Sequence, residues 1–200
     1  MEKIKNYFTN YFAKSSKLKI FSDVVFYLLI ISLLIPSTRT MLIRATLFRP
    51  KVETTDAAAM MKPQEYNMML EDMEGNLVNL DDYTDKTIFI SFWATWCPPC
   101  RAEMPSIQKL YDSYGDKLKV FLITTEERSK VQNYLDESGY NLPVYFQKSA
   151  ANGLLNIQSY PTSFLISSEG EILVQKKGAA DWNSRSFRKK LDALLPQSND

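Results

Sequence analysis

The chain has 200 residues, with 24 Lys and Arg against 23 Asp and Glu, two cysteines and no histidine. That length allows one ordinary domain plus an appendage, and the balanced charge gives no electrostatic footprint for nucleic acid. Without histidine, Ser-His-Asp and Cys-His catalysis are excluded; two thiols alone make a poor zinc site, so neither metal nor separate cofactor is expected.

The N-terminus carries Lys3, Lys5, Lys14, Lys17 and Lys19 against Glu2, then an apolar run from Val24 to Ile35, broken only by Ser32 and closed by Pro36. The bare run is short for a membrane span, which needs about 20 residues. Leu18 to about Pro36 supplies the length and admits Lys19 and Asp23 near one end, where side chains reach the interface. A cleaved signal peptide, a buried core helix and an uncleaved anchor compete. No small-x-small site follows the run, and no polar face interrupts it, so the anchor fits best.

The organisation expected is a basic cytoplasmic segment over 1–19 and a single transmembrane anchor over 20–37. A juxtamembrane segment and linker over 38–63 and a domain over 64–197 follow. Arg39, Arg44, Arg49 and Lys51 after the run dilute the positive-inside bias. The cysteine pair decides the orientation. Cys97 and Cys100, the two cysteines, stand in the Cys-x-x-Cys spacing of a reversible disulfide and fit the compartment where disulfides persist, so the domain is expected on the periplasmic, extracytoplasmic side of the inner membrane. Met41 to Phe48 reads equally as a surface-lying amphipathic segment or an ordinary helix before the linker.

Within the domain, Tyr66–Leu70 and Leu77–Leu80 flank Gly75-Asn76 as a hairpin. Thr87 to Trp93 is apolar and β-branched, as in a strand covered on both faces. Trp96-Cys97-Pro98-Pro99-Cys100 follows and opens a helix to Tyr114. Its apolar positions are Met104, Ile107, Leu110, Tyr111 and Tyr114, with Pro105 expected to kink it. Leu118–Thr124 is a strand and Arg128–Gly139 a helix stopped by glycine. Leu142–Phe146 is a short strand and Ala150–Leu155 a short helix. Thr162–Ser167 and Glu171–Lys177 form a second hairpin, and Trp182–Leu195 a closing helix. Glu126-Glu127 reads as a solvated loop ahead of a helix, with a role in client choice as the alternative. The order implies an α/β fold, a mixed central sheet with helices on both faces.

A disulfide between Cys97 and Cys100 closes almost no loop, so it makes a weak staple. At a helix N-terminus the free N–H groups and positive dipole end stabilise a thiolate, and the second cysteine, one turn on, can resolve a mixed disulfide.

Phe92-Trp93-Ala94-Thr95-Trp96-Cys97-Pro98-Pro99-Cys100-Arg101-Ala102-Glu103-Met104-Pro105 resembles the signature of the membrane-anchored TlpA/ResA-like thiol-disulfide oxidoreductases of thioredoxin fold. Tyr160-Pro161-Thr162-Ser163-Phe164 resembles their cis-proline segment. The resemblance spans roughly Gln64 to Leu195 and implies a thioredoxin-like fold with an extra N-terminal β-hairpin. It also implies a redox-active Cys97–Cys100 disulfide as the working group, with no further cofactor.

Carried over by residue, Cys97 attacks, Cys100 resolves and Pro161 is the cis-proline beside the disulfide, an ordinary turn proline being the alternative. Trp96, Pro98, Pro99, Tyr160, Pro161 and Thr162 would contact client. Trp93 reads equally as site frame and core. Thioredoxin itself has a buried aspartate where Ser91 stands; Glu103 replaces it as proton acceptor for Cys100, or else is a solvated helix-face acid.

The resemblance implies disulfide-bearing client proteins and a transmembrane thiol electron donor, in cytochrome c maturation or redox homeostasis. Pro99 offers no N–H to a Cys97 thiolate, which lowers the potential and favours a reductant. The alternatives are a thiol oxidase of the same fold, a tethered peptide-binding module without turnover, and a thiol peroxidase. The Pro-Pro between paired cysteines does not supply the setting of the last.

Overall fold

The computed structural model describes residues 17–34 and 59–195, in two compact units, Met1–Leu42 and Ile43–Asp200. In the first unit, α1 is Lys17–Leu34. Its described apolar side chains are exposed, Phe21, Phe26, Tyr27 and Leu28 among them. Lys17, Lys19 and Asp23 fall within its 18 residues. No helix among the described residues is long and apolar enough to cross a membrane. The expected anchor over 20–37 ends outside the described residues, as do the basic segment up to residue 16, the Met41–Phe48 segment and the linker up to residue 58.

The second unit is built on seven strands: β1 Met69–Glu71, β2 Leu77–Asn79, β3 Ile88–Phe92, β4 Lys119–Thr124, β5 Val144–Gln147, β6 Thr162–Ile166 and β7 Ile172–Lys177. Its helices are the single turn α2 Pro63–Tyr66, then α3 Pro98–Tyr114, α4 Arg128–Ser138 and α5 Arg185–Leu194. Two 3₁₀ turns, Leu80–Tyr83 and Gly153–Leu155, also lie among its described residues. The sheet order is β2-β1-β5-β4-β3-β6-β7, with β3, β4 and β5 parallel and the other pairings antiparallel.

The sheet is mixed, as expected, and both hairpins form. Helical segments cover both faces unequally. The steps β3-α3-β4 and β4-α4-β5 move in one direction across the sheet, so crossovers of one hand put both helices on one face. There Met104, Ile107, Val131, Tyr134, Phe187 and Leu191 pack on Phe89, Leu122 and Leu165. Tyr66, Leu80 and Leu155, from the single turns, cover Ile88, Ile90, Phe121 and Phe164 on the other.

Two boundaries differ from expectation for local reasons. Tyr66 ends a helical turn opened by Pro63, because proline at the first helical positions loses no intrahelical bond. The closing helix starts at Arg185, where the Ser184 hydroxyl accepts from the Phe187 N–H, so Trp182 lies outside it.

Gly153 has φ +54°, and a Cβ there would come within 1.8 Å of Glu65 Oε1. That carboxyl is buried and accepts from the N–H groups of Lys62 at 2.7 Å and Leu154 at 2.8 Å. Gly153→Ala must therefore adopt a left-handed residue and displace Glu65. Urea unfolding should show a loss of about 2–4 kcal/mol; a loss below about 0.5 kcal/mol would mean that Glu65 re-bonds freely.

Candidate active site

The site begins where β3 stops. Every residue of β3 is buried, and side chains alternate: Ile88, Ile90 and Phe92 face one way, Phe89 and Ser91 the other, toward α3. The chain then turns through Ala94–Cys97, closed by a bond from the Cys97 N–H to the Ala94 carbonyl at 3.2 Å. Cys97 is the N-cap of α3, with Pro98 and Pro99 at its first positions. The Cys97 Sγ is joined to Cys100 and accepts from the Cys100 N–H at 3.3 Å. Pro99 thus withholds one donor, as expected, and the next N–H along supplies one. Both cysteines are buried, Cys97 at 3% exposure presenting only an edge.

Glu103 lies one helical turn past Cys100 and is fully buried, which overturns the reading of a solvated helix-face acid. Its Oε2 accepts from the Trp182 indole at 3.0 Å and the Ala180 N–H at 3.2 Å. Its Oε1 accepts from the Ser91 hydroxyl at 3.2 Å. Burial pushes its pKa up to about 8, against the downward pull of those three donors. Ser91 sits opposite Ser163 in the β3–β6 register, and the Ser163 hydroxyl donates to Ser91 Oγ at 2.9 Å. The position that carries aspartate in thioredoxin thus holds a hydroxyl pair, and a carboxyl reaches it from the helix.

Trp182, Ala180 and Ser163 escape a reading of the sequence, because 60 or more residues separate them from Glu103 and only the packed sheet brings them in. The Ser106 hydroxyl accepts from the Trp182 N–H at 3.1 Å and fixes this segment on α3. Trp182→Phe removes the indole donor from Glu103, so its ionised form loses a partner. The titration midpoint of Glu103, followed by carboxyl NMR, should rise above the wild-type value, with stability lower by about 1–3 kcal/mol. An unchanged midpoint would mean that the indole bond has no hold on the proton.

Other expected site residues divide into two groups. Trp96 is 67% exposed, and its ring meets that of Tyr160 edge-on at 6.0 Å. Together with Cys97, Pro98 and Pro99 they line a groove of about 820 Å³ that continues along the 150–159 segment, and none of its lining residues is charged. The Tyr160–Pro161 bond is cis. Pro161 and Thr162 are buried behind the groove and do not line it. The Thr162 hydroxyl is turned inward and donates to the Ser159 carbonyl at 2.7 Å, so client contact by its side chain is corrected to a structural role. Trp93, fully buried against Tyr134 at 5.6 Å, is core. Glu126 is also corrected: half-buried, it is bonded to Thr95. Among the described residues no cluster of acids and cysteines could hold a metal ion.

A dithiol pair capping a helix at the end of a central strand, on a mixed sheet closed by an antiparallel hairpin, defines a thiol-disulfide oxidoreductase of thioredoxin fold. A family model described as AhpC/TSA matches residues 63–175. The thioredoxin-like protein YneN of Bacillus subtilis is 32% identical over 133 residues, which cover 64% of this chain and 77% of that protein. The thiol-disulfide oxidoreductase ResA of Halalkalibacterium halodurans is 36% identical over 117 residues, covering 55% of this chain and 64% of that one. A thiol:disulfide interchange protein from Bacteroides sp. shares the fold with TM-score 0.56 at 19% identity, over 69% of this chain and 90% of that one. The chain belongs to the AhpC/TSA family and is, within it, a TlpA/ResA-like thioredoxin-fold oxidoreductase.

Proposed function

We propose that this chain is a membrane-tethered protein disulfide reductase working outside the cytoplasm. One observation carries the reading: the Cys97–Cys100 pair lies between an uncharged groove and a buried carboxyl whose pKa is pushed up to about 8. The Cys97 thiolate attacks a client disulfide; a Cys97–client bond forms and the other client sulfur leaves as thiolate. Cys100 gives its proton to the Glu103 carboxylate and attacks Cys97 Sγ. The Cys97–Cys100 bond forms, and the second client sulfur leaves with the electron pair. Two electrons have passed to the client, and Glu103 is left protonated. A pKa near that of a thiol makes the transfer close to balanced in either direction.

Pro99 supports the reducing direction, because it removes one donor from the Cys97 thiolate. The Trp96–Tyr160 pair and the groove fit an extended client segment. A transmembrane thiol donor would return the electrons. The lysine-rich start and the exposed apolar side chains of α1 support a tether. Carbonate washing of membranes and protease protection of the intact cell test this; release by carbonate, or protection matching a cytoplasmic marker, would refute the placement.

The reduction potential, read by thiol trapping in defined redox buffers, tests the direction. The expected value lies near or below about −270 mV, and a value near −120 mV would make the chain a thiol oxidase.

A further inference from the structure

Parallel β3 and β4 pair with Phe92 opposite Ile123, so the loops that leave them run side by side. The first loop ends in Cys97; the second carries Glu126. Glu126 Oε2 accepts from the Thr95 N–H at 2.5 Å, and Oε1 from the Thr95 hydroxyl at 2.8 Å. Glu126 is itself held, its N–H donating to the Thr124 hydroxyl at 3.3 Å on a buried threonine. Its carboxylate thus grips, at both oxygens, the residue two before Cys97, across a sequence separation of 31.

The other charged or titratable groups around the pair stand differently. The Arg101 guanidinium lies over the Tyr134 ring at 5.2 Å, drawn toward α4. Glu103 is buried behind Cys100 and shifted toward its neutral form. Glu127 is exposed and pairs with Lys130 at 3.5 Å. Tyr160 faces Trp96. Glu126 is the acidic group bonded directly to the turn that presents Cys97. A fixed negative charge near a thiol disfavours its thiolate, and so favours the disulfide.

We infer that Glu126 is a positioning residue of the redox centre. It clamps the Ala94–Cys97 turn through Thr95, and its charge lowers the potential of the Cys97–Cys100 pair. This rests on the reading of Cys97 as attacking thiol.

The test compares Glu126→Gln and Glu126→Ala in the full chain. In the first, the amide oxygen accepts from the Thr95 N–H and the amide N–H donates to the Thr95 hydroxyl, so the clamp persists and only charge is lost. Glu126→Gln should move the dithiol–disulfide equilibrium three- to tenfold toward the dithiol, about 15–30 mV upward, and speed Cys97 alkylation at neutral pH. Glu126→Ala should show the same shift and at least a fivefold loss of kcat/KM for a disulfide-bridged peptide. A potential and an alkylation rate unmoved in Glu126→Gln would overturn the charge role. Wild-type turnover in Glu126→Ala would overturn the clamp. Alkylation of wild-type Cys100 ahead of Cys97 would instead refute the attacking-thiol reading, and is read before any variant.

Discussion

Cys100→Ser should accumulate a covalent adduct between Cys97 and a disulfide-bearing client, stable to non-reducing gels and released by dithiothreitol. Cys97→Ser should form no adduct, and turnover of a disulfide peptide should fall to background in both, a loss of at least about 100-fold. The asymmetry follows from the helix start. Cys97, as N-cap, sits at the groove with an edge open and the Cys100 N–H directed at its sulfur. Cys100 is fully buried one turn on and can reach only the Cys97 sulfur. A mixed disulfide that cannot be attacked from within persists until an external thiol arrives. Equal trapping by both variants would contradict the assignment of roles, because it would require a client sulfur to reach the buried position. The same pair of variants bears on the peptide-binding alternative: a module without turnover would bind client equally in Cys97→Ser and wild type, with no adduct in Cys100→Ser.

Glu103→Gln should flatten the dependence of stability on pH and slow the resolving step. The sign follows from the upward shift. Below the ordinary value of 4.5, folded and unfolded chains both hold the proton. Between there and about 8, the unfolded chain has released it and the folded chain has not, so stability falls as pH rises; above about 8 the full cost of a buried carboxylate remains. The shift from 4.5 to about 8 corresponds to at most about 5 kcal/mol, an upper bound because interiors relax around an ionising group.

The chain has no histidine, and the oxidised protein has no free thiol, so few other side chains titrate across this window. Urea unfolding of the oxidised protein at pH 5 and pH 8.5 should give a wild-type loss that Glu103→Gln lacks, about 3–5 kcal/mol in difference. Parallel curves for the two proteins would mean that Glu103 ionises freely and has no special environment. Glutamine can retain the geometry, its oxygen accepting from Trp182 and Ala180 and its amide donating to Ser91. Loss of a general base should slow resolution about 100-fold and remove the rise in that rate through about pH 8. Reduction of a client at wild-type rate by Glu103→Gln would assign the proton to solvent instead.

What the residues alone determined was local. A β-branched apolar run, a helical period from Met104 to Tyr114, two glycine-marked hairpins and a Cys-Pro-Pro-Cys at a strand-to-helix junction are each specified within about 20 residues. Their backbone preferences and side-chain spacing suffice to place them. The dithiol and its helix N-terminus were therefore legible, whereas Glu103 was picked out by the resemblance to the TlpA/ResA-like signature. Its environment was not. Whether that acid is solvated or buried depends on Trp182, Ala180 and Ser91, which arrive from another loop and another strand.

The same division holds elsewhere. Ser163 meets Ser91 through antiparallel register, and Glu126 meets Thr95 because parallel pairing sets two loop exits side by side. Thr162 is buried, with its hydroxyl bonded to the Ser159 carbonyl, and does not line the groove. Periodicity reports which face of an element is apolar; it carries no record of what is packed against that face. Burial, and with it the proton affinity of Glu103 and the grip on the Cys97 turn, is a property of long-range contacts, which only the closed sheet and its packed helices create.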